Sequence, residues 1–157
     1  MILVVGATGS VGESIVRTLR QYGAQTRALV RSGSEYFWLN DSGTQFFFGD
    51  LRDPISLKRA AKGIDAAIIS VNVWLESREN NHLDLLKGVK TLCKALLEAG
   101  CKKVVLNSCV GADLDIGVPA FHARKEMEQC IINSGIPFTI LRSPPPVSYT
   151  HLRAHET

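Results

Sequence analysis

The chain has no cysteine pair at C-x-x-C spacing, no apolar run long enough to span a bilayer and only a small excess of charge. Each absence excludes something. Cys93, Cys101, Cys109 and Cys130 stand singly, in or beside apolar runs. That pattern excludes a zinc ribbon or a dithiol redox motif and predicts buried, reduced thiols in a cytoplasmic protein. A spanning helix needs ~20 consecutive apolar residues, so no membrane span is expected. A secretory leader is not expected either, because Gly6 and Gly9 fall where a signal core needs apolar residues. The net charge of +3 comes from scattered basic residues, which argues against a nucleic-acid partner. At 157 residues the chain is long enough for one cored domain and too short for two.

What is present is an alternation of short apolar runs and amphipathic stretches. Strands are predicted at 2–5, 26–30, 46–48, 66–70, 103–106 and 137–141. Helices are predicted at 11–21, 34–41, 54–62, 80–98 and 119–133. Val11, Ile15, Val16 and Leu19 form the apolar stripe of the first helix. Asp53 and Pro54 read as the N-cap and first turn of the third. Leu83, Leu86, Val89, Leu92, Leu96 and Leu97 are expected on the buried side of the helix at 80–98. Strands this short and continuously apolar, separated by helices, predict an α/β fold with a doubly wound parallel sheet of Rossmann-like type.

Gly6-Ala7-Thr8-Gly9-Ser10-Val11-Gly12 lies between the first strand and the first helix. Glycines there allow a tight turn and close backbone approach to a pyrophosphate, while the helix start offers unpaired N–H groups. A tight turn with no ligand is the simpler alternative. An NAD site usually places a carboxylate at the end of strand two. Here Val30 is followed by Arg31, Ser32 and Gly33. With no carboxylate to repel a phosphate and a guanidinium to pair with one, NADP(H) is favoured over NAD(H). The simpler alternative for Arg31 is an ordinary surface arginine. Asp50, ending strand three, is placed to accept from an adenine amino group, or else to bond only its local backbone.

These residues, with Leu29-Val30-Arg31, Gly49-Asp50-Leu51 and the late run from Ile136 to Arg142, resemble the atypical short-chain dehydrogenase/reductase superfamily. The nearest part of it is the NmrA-like group, whose relatives in chloroplasts and cyanobacteria include proteins linked to photosystem assembly. The resemblance covers residues 1 to about 145. It implies that Gly6, Thr8, Gly9, Ser10, Val11 and Gly12 frame the pyrophosphate, that Arg31 meets the 2′-phosphate, and that Asp50 and Leu51 hold the adenine. It further implies that Ser70 and Val71 pass beside the nicotinamide ribose, that Ser108, just past strand five, is the site serine, and that Lys125 is the lysine that holds that ribose. The simpler alternative for Lys125 is a solvent-facing helix residue.

The catalytic tyrosine of the superfamily precedes that lysine by four residues, and here the position is Phe121. Phenylalanine cannot exchange the proton that carbonyl reduction needs. His122 is a poor substitute, since adjacent helix positions point about 100° apart. Three readings follow: an NADPH-dependent oxidoreductase acting on a small molecule, a non-catalytic NADP(H)-sensing regulator or assembly factor, and, lowest ranked, a dimeric partner-binding module.

Residues 1–146 are expected to form one nucleotide-binding domain, cut short after about the sixth strand. Residues 147–157 have no helical recurrence and resemble the translation of a sequencing-library adapter. They are expected to be foreign to the fold, so Tyr149, His151 and His155 are not offered as site residues.

Overall fold

The structure is a computed structural model and describes residues 1–34, 36–40, 43–71, 81–114 and 119–144. The tail expected at 147–157 lies outside the described residues, as do residues 35, 41 and 42 of the helix predicted at 34–41 and residue 80 at the start of the next long one.

Six parallel strands form one sheet: β1 (Ile2–Val5), β2 (Thr26–Val30), β3 (Gln45–Phe48), β4 (Ala66–Ile69), β5 (Lys103–Cys109) and β6 (Phe138–Ser143). Their order is β3-β2-β1-β4-β5-β6, the doubly wound arrangement. The chain reverses direction across the sheet between β1 and β4, which opens a crevice at the carboxyl ends of those two strands. The helices are α1 (Ser10–Gln21), α2 (Phe37–Asn40), α3 (Pro54–Ala60), α4 (Asn81–Glu98) and α5 (Pro119–Ile132).

Strand side chains alternate between two apolar layers. Leu3, Val5, Ala67, Ile69, Val104 and Leu106 face α3, α4 and α5 in the larger core. Val4, Ala28 and Val30 face Val16 of α1 and Leu39 of α2 in the smaller one. As expected, Asp53 caps α3, accepting from the Ile55 N–H at 3.0 Å, with Pro54 in the first turn. Cys93 and Cys101 are buried, whereas Cys109 and Cys130 are only half-buried. Among the described residues no helix is long and apolar enough to cross a membrane.

Three sequence expectations are corrected. The buried stripe of α4 is Leu85, Val89, Leu92, Cys93 and Leu96, while Leu83 and Leu97 are 48% and 49% exposed. The reason is the close approach of Gly88 to the turn after β3, where a Cβ would come within 2.7 Å of the Leu51 Cβ and thereby fixes the helix's rotation. β5 continues to Cys109, three residues past its predicted end, so Ser108 lies within the strand rather than beyond it. β6 likewise continues through Arg142 and Ser143, because those residues pair with Ser108 and Cys109.

Candidate functional site

The glycine loop is shaped by two positions where no side chain fits. Gly6 follows β1 with φ +83°, a conformation that favours glycine, and a Cβ there would overlap the Ser70 carbonyl. A Cβ on Gly12, inside the first turn of α1, would overlap the Gly6 carbonyl and lie 2.9 Å from the Ala7 Cα. Gly9 differs. It is exposed and extended, its N–H donates to Gly6 O at 3.1 Å, and a Cβ would meet only that oxygen at 3.5 Å.

Gly9 is also the N-cap of α1, so no side chain caps the helix. Its first N–H groups and the positive end of its dipole therefore face the crevice. Thr8 and Val11 are half-buried along this loop and Ser10 is exposed. Ser70 donates its N–H to Val5 O at 2.9 Å, which sets Ser70 and Val71 against the loop from β4. The structure thus brings the six loop residues together with Ser70 and Val71.

Arg31 follows β2 and Asp50 follows β3, its parallel neighbour. Arg31 is exposed and close enough to Asp50 to help keep its carboxyl ionised. The Asp50 carboxylate is itself clasped by Arg52: Oδ1 accepts from the Arg52 N–H at 2.8 Å and Nε at 2.9 Å, and Oδ2 from Nη2 at 2.8 Å. These bonds, followed by the Arg52 and Arg31 charges, outweigh partial burial and lower the Asp50 pKa to about 2. Leu51 packs against the larger core and against Gly88.

The other half of the carboxyl edge is a closed polar network. Ser108 is 3% exposed and donates to Glu128 Oε1 at 2.5 Å. Arg142 donates to the same carboxylate through Nε at 3.1 Å and Nη2 at 2.8 Å, and pairs with Asp113 at 2.9 Å. The Glu128 bonds push the arginine's already high pKa up. Asn107 ties three strand ends together: its Nδ2 donates to Ser70 Oγ at 3.2 Å, and its Oδ1 accepts from Ser143 at 3.1 Å. Arg124 is buried and donates to Asn107 O at 3.1 Å, leaving its Nε without a partner.

The predicted pair Ser108 and Lys125 is therefore divided by environment. Ser108 faces inward onto Glu128, whereas Lys125 is exposed. Phe121 is half-buried beside Gly111, whose Cβ would come within 2.9 Å of its ring, and His122 is exposed. Sequence reasoning missed Asn107, Arg124, Glu128 and Arg142. One signal was available: Arg124 and Glu128 fall on the stripe of α5 defined by Ala120, Ala123, Met127 and Ile131. Charges four apart within a buried stripe demand partners.

The chain belongs to the NmrA-like family, which matches residues 1–145. It is 32% identical over 142 residues to the NAD(P)H azoreductase of Xenophilus azovorans, covering 90% of this chain and 47% of that protein. It is 31% identical over 141 residues to the photosystem II assembly factor Ycf39 of Cyanophora paradoxa, covering 90% of this chain and 44% of that one. Among solved structures, Citrobacter sp. triphenylmethane reductase complexed with NADP(H) superposes with a TM-score of 0.80 at 26% identity, over 98% of this chain and 54% of that one. The chain thus spans about half the length of these relatives.

Proposed function

We propose that residues 1–146 are the NADP(H)-binding unit of an NADPH-dependent oxidoreductase. The observation that carries this reading is the pair of glycines, Gly6 and Gly12, whose missing side chains leave the crevice floor to bare backbone under an uncapped helix. That cradle fits a pyrophosphate. Gly6, Thr8, Gly9, Ser10, Val11 and Gly12 would hold it. Arg31 would take the 2′-phosphate, Asp50 and Leu51 the adenine, and Ser70, Val71 and Lys125 the nicotinamide ribose. When bound, the nicotinamide supplies hydride chemistry and the protein supplies orientation and electrostatics. Ser108, its hydroxyl donated to Glu128, acts here as a positioning residue that shapes the end of β5.

With Phe121 in the tyrosine position, the acceptor would take its proton from solvent. That suits quinones or azo compounds better than simple carbonyls. A second reading, an NADP(H)-sensing regulator or assembly factor, is favoured by the same Phe121, by the enclosed Ser108 and by the likeness to photosystem II assembly factors. Either would work in the cytoplasm or an organelle stroma.

The test is a titration of the chain with NADPH and with NADH. NADPH should bind more tightly, and Arg31→Asp should weaken it about tenfold, roughly 1.4 kcal/mol, with little effect on NADH. A folded chain that ignores both nucleotides would overturn the assignment. Steady NADPH oxidation on adding a quinone or azo acceptor selects the enzyme, and binding without turnover selects the sensor.

A further inference from the structure

Asn107 leads from the crevice to a buried charge. Its Nδ2 donates to Ser70 Oγ at 3.2 Å, and its carbonyl accepts from Arg124 Nη1 at 3.1 Å. Arg124 stands on the buried stripe of α5 and is only 7% exposed. Among the described residues its Nε is the one buried side-chain nitrogen or oxygen without a hydrogen-bond partner. No carboxylate among them pairs with it. Glu128, one turn on, is taken up by Ser108 and Arg142, and Cys109, the other titratable group beside it, is a thiol kept neutral by burial. Burial lowers the pKa of the guanidinium, yet arginine starts so high that the charge persists. Glu128 and Arg142 cancel each other at a distance, while Asp113, the further partner of Arg142, is exposed to screening by solvent. The field of Arg124 therefore reaches Ser70, two hydrogen bonds away, through an interior that screens it little.

We propose that Arg124 is a specificity-determining residue for the redox state of the nucleotide, its charge favouring the neutral ring of NADPH over the cationic ring of NADP+. This rests on the NADP(H) reading above, in which Ser70 and Val71 meet the nicotinamide ribose. Arg124 acts through its field, without touching the nucleotide. The rest of the dinucleotide is common to both forms, so the ratio of their affinities isolates the charge on the ring. A merely structural arginine would move both affinities together. An oxidoreductase so equipped holds its reductant and lets the spent form go, and a sensor so equipped reports reduction.

The experiment is a titration of the full chain, Arg124→Gln and Arg124→Lys with NADPH and NADP+ at low and high salt, folding being checked by circular dichroism. The unaltered chain should bind NADPH about tenfold more tightly than NADP+, which raises the potential of the bound couple by about 30 mV. Arg124→Gln, which can still donate to the Asn107 carbonyl, should bring the ratio within about twofold of unity. Arg124→Lys keeps the charge and should hold the ratio above about fivefold. Raising salt from about 0.05 M to about 0.5 M should change the ratio of the unaltered chain less than about twofold, because a buried charge is poorly screened. Equal affinities in an unaltered chain that binds both forms would overturn this inference and leave the NADP(H) reading standing. A preference that survives Arg124→Gln would overturn it too, as would one that high salt erases, since exposed charges such as Lys125 would then carry it. Failure to bind either form removes the NADP(H) reading and this inference together. If Arg124→Gln does not fold, the salt series on the unaltered chain decides.

Discussion

The carboxyl edge of the sheet is made in two different ways. Over β1 and β4 it is made of missing side chains: Gly6 and Gly12 leave backbone bare, and Gly9 leaves α1 uncapped. Over β5 and β6 it is made of side chains that satisfy one another, with Ser108, Glu128, Arg142 and Asp113 forming one chain of bonds and Ser70, Asn107 and Ser143 another. Unsatisfied N–H groups and open backbone need a partner from outside the protein. Side chains that bond one another do not, because their polar groups have exchanged water for one another. The first region leaves its backbone open to a ligand, and the second holds strand ends in place.

Substitutions can break that division. The largest effect is expected for Glu128→Ala, which strands the buried Ser108 hydroxyl and removes one partner of Arg142. Because Arg142 is itself exposed and keeps Asp113, the cost comes chiefly from the stranded hydroxyl and the lost charge-assisted bonds, about 2–3 kcal/mol in denaturant unfolding. NADPH affinity of the remaining folded protein should change less than about threefold. A large loss of affinity at unchanged stability would show that the network belongs to the binding site. Gly12→Ala should do the reverse. Forcing a Cβ onto the Gly6 carbonyl displaces the loop, at about 2 kcal/mol of stability, and NADPH affinity should fall below detection. Retained binding would mean that the crevice is not the nucleotide site.

The two regions also differed in how far the sequence revealed them. The glycine loop is local: its three glycines span seven residues, and their spacing between a strand and a helix states the geometry directly. The doubly wound parallel sheet, covered on both faces, followed from the same alternation of short apolar runs. The β5–β6 network is not local. Ser108 and Glu128 are 20 residues apart and Glu128 and Arg142 are 14 apart. A serine read without those partners looks like an available hydroxyl, and that is how the sequence presented it. Extension of β5 and β6 has the same origin, since Asn107, Ser108 and Cys109 become strand only by pairing with Leu141, Arg142 and Ser143. The phase of α4 was hidden for another reason. The helix carries leucine on more than one side, and the side that packs on the core is the one where Gly88 closely approaches Leu51.

A smaller effect separates the regions by pH. Cys93 of α4 lies in the core beneath β4 and β5, and burial, aided by the nearby Cys130 and Cys101, raises its pKa from the usual value near 9 to about 12. The unfolded chain releases that proton first, so the thiol's contribution to stability is complete below about pH 9 and is lost as pH rises toward about 12. One such group costs up to about 1.4 kcal/mol per pH unit within the window. The unfolding free energy from denaturant titration should therefore fall by about 1 kcal/mol between pH 9 and pH 10. Cys93→Ala should start lower at neutral pH, having lost packing, and should fall less steeply over that interval. Parallel slopes for the two proteins would move the alkaline sensitivity away from Cys93. Residues 6–12 contain no group that titrates in this range. The loop should thus hold its geometry at pH 10 while the α4 side weakens, which is the division between the two regions expressed as a pH dependence.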